Sequence, residues 1–171
     1  MITMKQTGVF WKRKKRPDSE LRRASGHLYY EIEMFAGCAQ VLAKGAYKDR
    51  TVTNALLESF TIHARAILDF LYARESARKE NVIAEDFFDE PSLWHSVRPR
   101  KTRLLSSIHK RVGKEIAHLT YTRQKVTPEA KKWYYLRIHD DVFEVLKLFL
   151  EKVPQSRLDQ RLLELGQTTT R

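Results

Sequence analysis

Along most of the chain, apolar residues recur at intervals of three and four, and no segment alternates over a strand's length. The first such run predicts a helix from about 18 to 44, with Leu21, Leu28, Ile32, Phe35, Ala39 and Leu42 on one stripe. Asp18 or Ser19 is placed to cap it and Gly45 to end it. The second runs from about Thr51 or Thr53 to Arg78, with Leu56, Phe60, Ile67 and Phe70/Leu71 facing in and a single polar residue, His63, on the same stripe. The pattern then breaks over 80–101, where acids, two prolines and large aromatics mix. Phe87, Phe88 and Trp94 are the expected anchors of a short extra helix or a packed excursion.

A third helix is predicted from about Thr102 to Leu119, with Leu105, Ile108, Val112, Ile116 and Leu119 inward. The fourth is announced by 127-TPEA-130, in which Thr127 suits the cap, Pro128 the first turn and Glu129 the positive helix end. It continues through Tyr134, Ile138, Val142, Val145 and Phe149 and stops before Pro154. The fold class expected is therefore all-α, an antiparallel four- to five-helix bundle with an irregular aromatic-rich segment between helices 2 and 3. Residues 1–17 form a basic arm, 18–154 the helical body, and 155–171 an amphipathic turn or two ending in a frayed tail.

Charge adds a direction. The 171 residues carry 32 Lys+Arg against 21 Asp+Glu, a net +11, and the excess is concentrated in two places: residues 1–26 sum to +6 and residues 98–125 to +8, leaving the rest mildly acidic. Such fields attract polyanions, nucleic acid first, through counterion release, and they also serve solubility alone. No uncharged apolar run of about 18 residues exists to span a bilayer. The N-terminus has its basic block, 11-WKRKKR-16, after the short apolar piece, which does not suit a secretory signal, so a cytoplasmic location is the expectation. Cys38, the one cysteine, excludes an intramolecular disulfide and a cysteine-based zinc cage, and its helical position reads as core.

Candidate chemistry lies in 111-RVGKEIAHLTYTR-123. On an ideal α-helix Arg111 and His118, seven apart, return to nearly one azimuth about 10 Å apart along the axis, with Glu115 between them and Lys114 four before the histidine. A histidine and a guanidinium so placed suit metal-free RNA cleavage: the imidazole takes the proton of a ribose 2′-hydroxyl or protonates the leaving oxygen, and the planar guanidinium grips the phosphorane. The same residues also read as a solvated face with a small Arg111–Glu115 pair.

The helical pattern, the stretch 54-NALLESFTIHARAILDFLY-72 and the Arg-x6-His run ending in 117-AHLTYTR-123 together resemble the HEPN superfamily (higher eukaryote and prokaryote nucleotide-binding domains) over about residues 20–153. The resemblance implies a four- or five-helix bundle, often dimeric, in which Arg111 and His118 are the catalytic pair of a metal-independent endoribonuclease acting in a homodimer. It equally admits a non-catalytic module that binds RNA, a nucleotide or a protein. Catalytic members usually carry a polar residue directly after the arginine; here it is Val112, which favours the second alternative. A toxin-antitoxin or phage-defence setting, with an antitoxin or regulatory protein as partner, is likewise implied by the resemblance. No cofactor and no metal are expected.

Lys114, Glu115 and His63 are the candidate supporting residues. Lys12, Arg13, Lys14, Lys15, Arg16, Arg103, Lys110 and Arg123 are candidates for nucleic-acid contact. His63 suits a hydrogen-bonded core histidine better than a ligand, and a metal site from His63, His118, Glu58 and His139 lacks the paired Glu-x-x-His that would recommend it. Arg65 and Asp69 are spaced as a helical ion pair. The aromatics 133-WYY-135 suit base stacking, core or a dimer interface.

Overall fold

The computed structural model describes residues 14–45, 47–73, 80–117, 121–127, 129 and 131–168. Lys12, Arg13, His118 and Leu119 lie outside that set, as do residues 74–79 and 169–171. Among the described residues the structure is all-α, as the apolar spacing predicts. It comprises α1 (Asp18–Lys44), α2 (Arg50–Tyr72), α3 (Pro91–Val97), α4 (Arg103–Arg111), α5 (Tyr135–Lys152) and α6 (Gln160–Thr168).

The ends of α1 separate local signal from tertiary context. Gly45 closes the helix in the left-handed region at φ 59°, as a C-terminal glycine can without steric cost. At the start, neither Asp18 nor Ser19 caps: Pro17 occupies the cap position, and its carbonyl accepts from the amides of Glu20 and Leu21. The Asp18 carboxylate instead accepts from Arg157 Nε at 2.9 Å and from Ser156 Oγ at 2.8 Å. A guanidinium and a hydroxyl brought from the far end of the chain displace the local bond.

α2 begins at Arg50, just ahead of the expected Thr51 or Thr53, and is capped by Asp49, whose side chain accepts from Val52 N. The helix ends at Tyr72, six residues earlier than the apolar period predicts, because Ala73 turns into extended backbone. Glu31 and Cys38 of α1 meet His63 and Ser59 of α2, so the pair runs antiparallel. Phe35 stacks on Phe60 at 5.0 Å and faces Phe143 of α5 at 6.5 Å, tying three helices together.

The irregular segment is a packed excursion. A 3-10 turn at Ala84–Phe87 and the short α3 deliver Phe87, Phe88 and Trp94 to Phe70 and Phe149, with ring centroids 5.1 to 6.0 Å apart. Trp94 is fully buried and its indole N–H donates to the Leu71 carbonyl at 2.9 Å, satisfying the one polar atom it takes inside. Burying each of these rings contributes about 2 to 3 kcal/mol. Buried Arg157 locks the excursion to the helix ends, donating to the Phe87 carbonyl, Asp18 and Asp89. Ser25 of α1 is buried and accepts from the Asp159 amide at 2.7 Å, which seats the start of α6.

Two boundaries in the second half differ from the pattern. Regular α4 stops at Arg111, and Val112–Ala117 continue as a π-helix, a wider turn in which Gly113 lowers the α preference by about 1 kcal/mol relative to alanine. The fourth long helix starts at Tyr135, not Thr127. Before it stands a separate turn in which Lys131 N donates to Thr127 O and Lys132 N to Glu129 O. The Lys132 carbonyl then accepts from Arg111 Nη1 at 3.1 Å, and Trp133 turns inward to be buried, so the turn does not run on into α5.

Candidate functional site

α4 is built from a strict division of sides. Thr102 caps it, its hydroxyl accepting from Leu105 N and donating to Asp141 of α5 at 2.8 Å. Leu105, Ile108 and Val112 are buried. Arg103 and Lys110, seven apart and so on one line of the helix, are exposed on the side away from that apolar stripe.

Arg111 takes a third direction, toward α5. Its Nε and Nη2 donate to the two Glu115 oxygens, both at 3.0 Å, its Nη1 donates to the Lys132 carbonyl, and its guanidinium lies 3.8 Å over the Trp133 ring. Side-chain exposures of only 18% for Arg111 and 19% for Glu115 set this apart from the loose surface pair that i, i+4 spacing alone suggests. The fork and the stacked face are the two features that distinguish arginine from lysine. Together they pin the end of α4 and the π-turn against the start of α5. Lys114 is exposed on the same π-turn. The wider turn replaces the 100° step used to align Arg111 with position 118, and His118 itself lies outside the described residues.

The other expected residues are dispersed. His63 is part-buried, Nδ1 sharing a hydrogen bond of 2.7 Å with Glu31 Oε2 while Tyr30 meets its ring edge-on. Glu58 is exposed, and His139 stacks on Phe143 at 4.3 Å. Among the described residues no group of three or more His, Cys, Asp or Glu is placed to hold a metal ion. In the arm, Lys14 is exposed, Lys15 pairs with Asp89 at 3.1 Å, and Arg16 pairs with Glu20. Lys12 and Arg13 lie outside the described residues, as does the side chain of Arg123. Of 133-WYY-135, Trp133 is core beneath Arg111, Tyr135 meets Phe60 edge-on, and Tyr134 is exposed.

A second cluster joins α2 to α4. His109 Nε2 lies 3.3 Å from Asp69 Oδ1, and Arg65 Nε 3.7 Å from Asp69 Oδ2, the latter at the spacing that predicts an ion pair. At the α2 end the Tyr72 ring is flanked by Lys101 Nζ at 4.7 Å and the Arg98 guanidinium at 4.8 Å. Burial pushes the Tyr72 phenol up, and it pushes the Lys101 ammonium and the His109 imidazole down. Asp69 is paired with Arg65 by spacing along α2. Its meeting with His109 depends on the way α4 lies against α2, which no local spacing encodes.

No helix among the described residues is long and apolar enough to cross a membrane. Compared with protein-family models, with curated proteins and with solved structures, the chain matches none.

Proposed function

We propose that this chain is a HEPN-like helical module that binds RNA as a homodimer through the exposed basic side of α4 and its flanks. The division of the α4 cations carries the reading. Arg111 is turned to Glu115, Lys132 and Trp133, whereas Arg103 and Lys110 stand in solvent on one line. Exposed Arg100, just before α4, and exposed Lys125, Lys131 and Lys132, in the segment between α4 and α5, carry the same sign of charge. Such a surface gains affinity by releasing counterions from phosphates and needs no base readout.

The test is fluorescence anisotropy of a labelled single-stranded RNA at stepped KCl concentrations. For the Arg103→Ala/Lys110→Ala double variant the slope of log affinity against log salt is expected to fall by about 1.4, near 0.7 for each lost phosphate contact. An unchanged slope with unchanged affinity overturns the assignment. Sedimentation of the same samples reads the dimer.

The π-turn favours a second reading, the metal-independent endoribonuclease, because π-turns inside α-helices are often found at functional sites and this one opens directly after Arg111. Catalysis then requires the guanidinium to exchange Glu115 for phosphate, with His118 transferring the proton. Cleavage of RNA in EDTA to 2′,3′-cyclic ends, lost in folded Arg111→Ala and His118→Ala variants of unchanged oligomeric state, is its signature.

A further inference from the structure

We propose that the cluster of Lys101, Arg98, Tyr72 and His109, where the end of α2 meets α4, is a binding site for a phosphate group. It lies on other residues than the Arg103–Lys110 line and stands whether or not that line binds RNA.

The first observation is an imbalance of charge. Arg65, Arg98 and Lys101 bring three cations to a cluster with two carboxylates: Asp69, paired with Arg65 and His109, and Asp141, which accepts from the Thr102 hydroxyl and lies within reach of Tyr72. Among the described residues Lys101 has no carboxylate within ion-pair distance, and its ammonium rests on the Tyr72 ring at 4.7 Å. A half-buried ammonium in that position has given up water without gaining an acceptor.

The second observation is an orphan. The Tyr72 hydroxyl is buried and has no hydrogen-bond partner, the one such side-chain atom among the described residues. Buried polar atoms almost always have partners, and each exception asks for a reason. A phosphate oxygen admitted beside Lys101 supplies an acceptor for both groups at once: the phenol O–H donates to it, and the ammonium pairs with it. Lys101 reaches the ring from the segment just before α4, so its four-carbon stem can swing to let the anion in.

The third is the frame. Arg98 is tethered by Nη1 to the Leu71 carbonyl at 2.7 Å, and His109 is oriented by Asp69. These bonds hold one cation and one imidazole in place, leaving Lys101 as the element that adjusts. Phosphate in a nucleic-acid backbone and free phosphate or a nucleotide offer the same chemistry, so the experiment has an arm for each.

The test is NMR of the full chain with labelled histidine rings, titrated at constant ionic strength with inorganic phosphate and, separately, with a short single-stranded RNA. Phosphate is expected to shift the His109 signals saturably and to raise the pH at which they titrate, because added negative charge favours the imidazolium. Lys101→Gln is expected to weaken phosphate binding about tenfold, the scale of one charge-assisted bond, and Tyr72→Phe by a few-fold. RNA that displaces phosphate from this site identifies a backbone phosphate as the occupant. Phosphate binding that RNA does not disturb identifies free phosphate or a nucleotide. His109 signals that do not respond to phosphate, or that respond equally in folded Lys101→Gln, overturn the proposal. Loss of RNA affinity in Arg103→Ala/Lys110→Ala with phosphate binding intact separates this site from the α4 surface.

Discussion

Replacing Arg111 with methionine tests whether the residue is a fastener of the fold. Methionine keeps the apolar stem and removes the fork. The guanidinium lies 3.8 Å over Trp133, a ring only 8% exposed, and a partly desolvated cation–π contact of this kind is worth about 1 to 2 kcal/mol. The bond to the Lys132 carbonyl adds about 0.5 to 1 kcal/mol. The Glu115 pair adds about 0.5 kcal/mol as a helical i, i+4 contact. Arg111→Met is therefore expected to lose about 2 to 3.5 kcal/mol, or about 4 to 14 °C in Tm for a domain of this size. Urea and thermal unfolding measure it, with Arg111→Lys beside it because lysine keeps the charge but cannot fork. A loss below about 0.5 kcal/mol, the range of an ordinary surface change, refutes the reasoning and returns Arg111 to the pool of residues available to phosphate.

Other outcomes follow from the same geometry. Trp94→Phe keeps most of the ring volume and removes one of the two donors to the Leu71 carbonyl, which Arg98 Nη1 still holds, so a loss of about 0.5 to 1.5 kcal/mol is expected in urea unfolding with little change in RNA affinity. Hydrogen bonds from Arg157 hold the carboxyls of Asp18 and Asp89 below their ordinary value of 3.8, so their contribution is complete above that pH and is lost as the pH falls through the lower folded values. Acid unfolding of Arg157→Met is accordingly expected to lack that part of the slope. Burial holds His109 below the ordinary 6.5, so the unfolded chain takes up its proton first and stability declines as the pH falls from 6.5 through the folded value. His109→Gln should flatten that decline in stability measured from pH 7 to 5. Cys38, buried beside Ser59, is expected to react with a thiol reagent in the native protein only at the rate of unfolding.

Periodicity made most of the helical order legible, since an apolar stripe at spacings of three and four can be buried by nothing but a helix packed on its neighbours. The bounds of α1 and the inward faces of α2, α4 and α5 follow from it, whereas the anchoring by Phe87, Phe88 and Trp94 was legible from the large aromatics that interrupt it. Two side-chain contacts were legible as well: Arg111 and Glu115 pair as their spacing suggests, and His63 is a hydrogen-bonded, part-buried histidine.

What local pattern left undecided was settled by groups far apart in the chain. Arg157 took the Asp18 carboxylate from its cap position across 139 residues, and Arg111 took the Lys132 carbonyl and delayed the start of α5. The pairing of Asp69 with His109, and of Lys101 with Tyr72, likewise required α4 to settle against α2. Sequence by itself determined which faces must be buried, because hydrophobic burial is read from spacing alone. Tertiary structure alone decided where each polar group found its partner, because hydrogen bonds and ion pairs are short-ranged and depend on which helix ends are brought together.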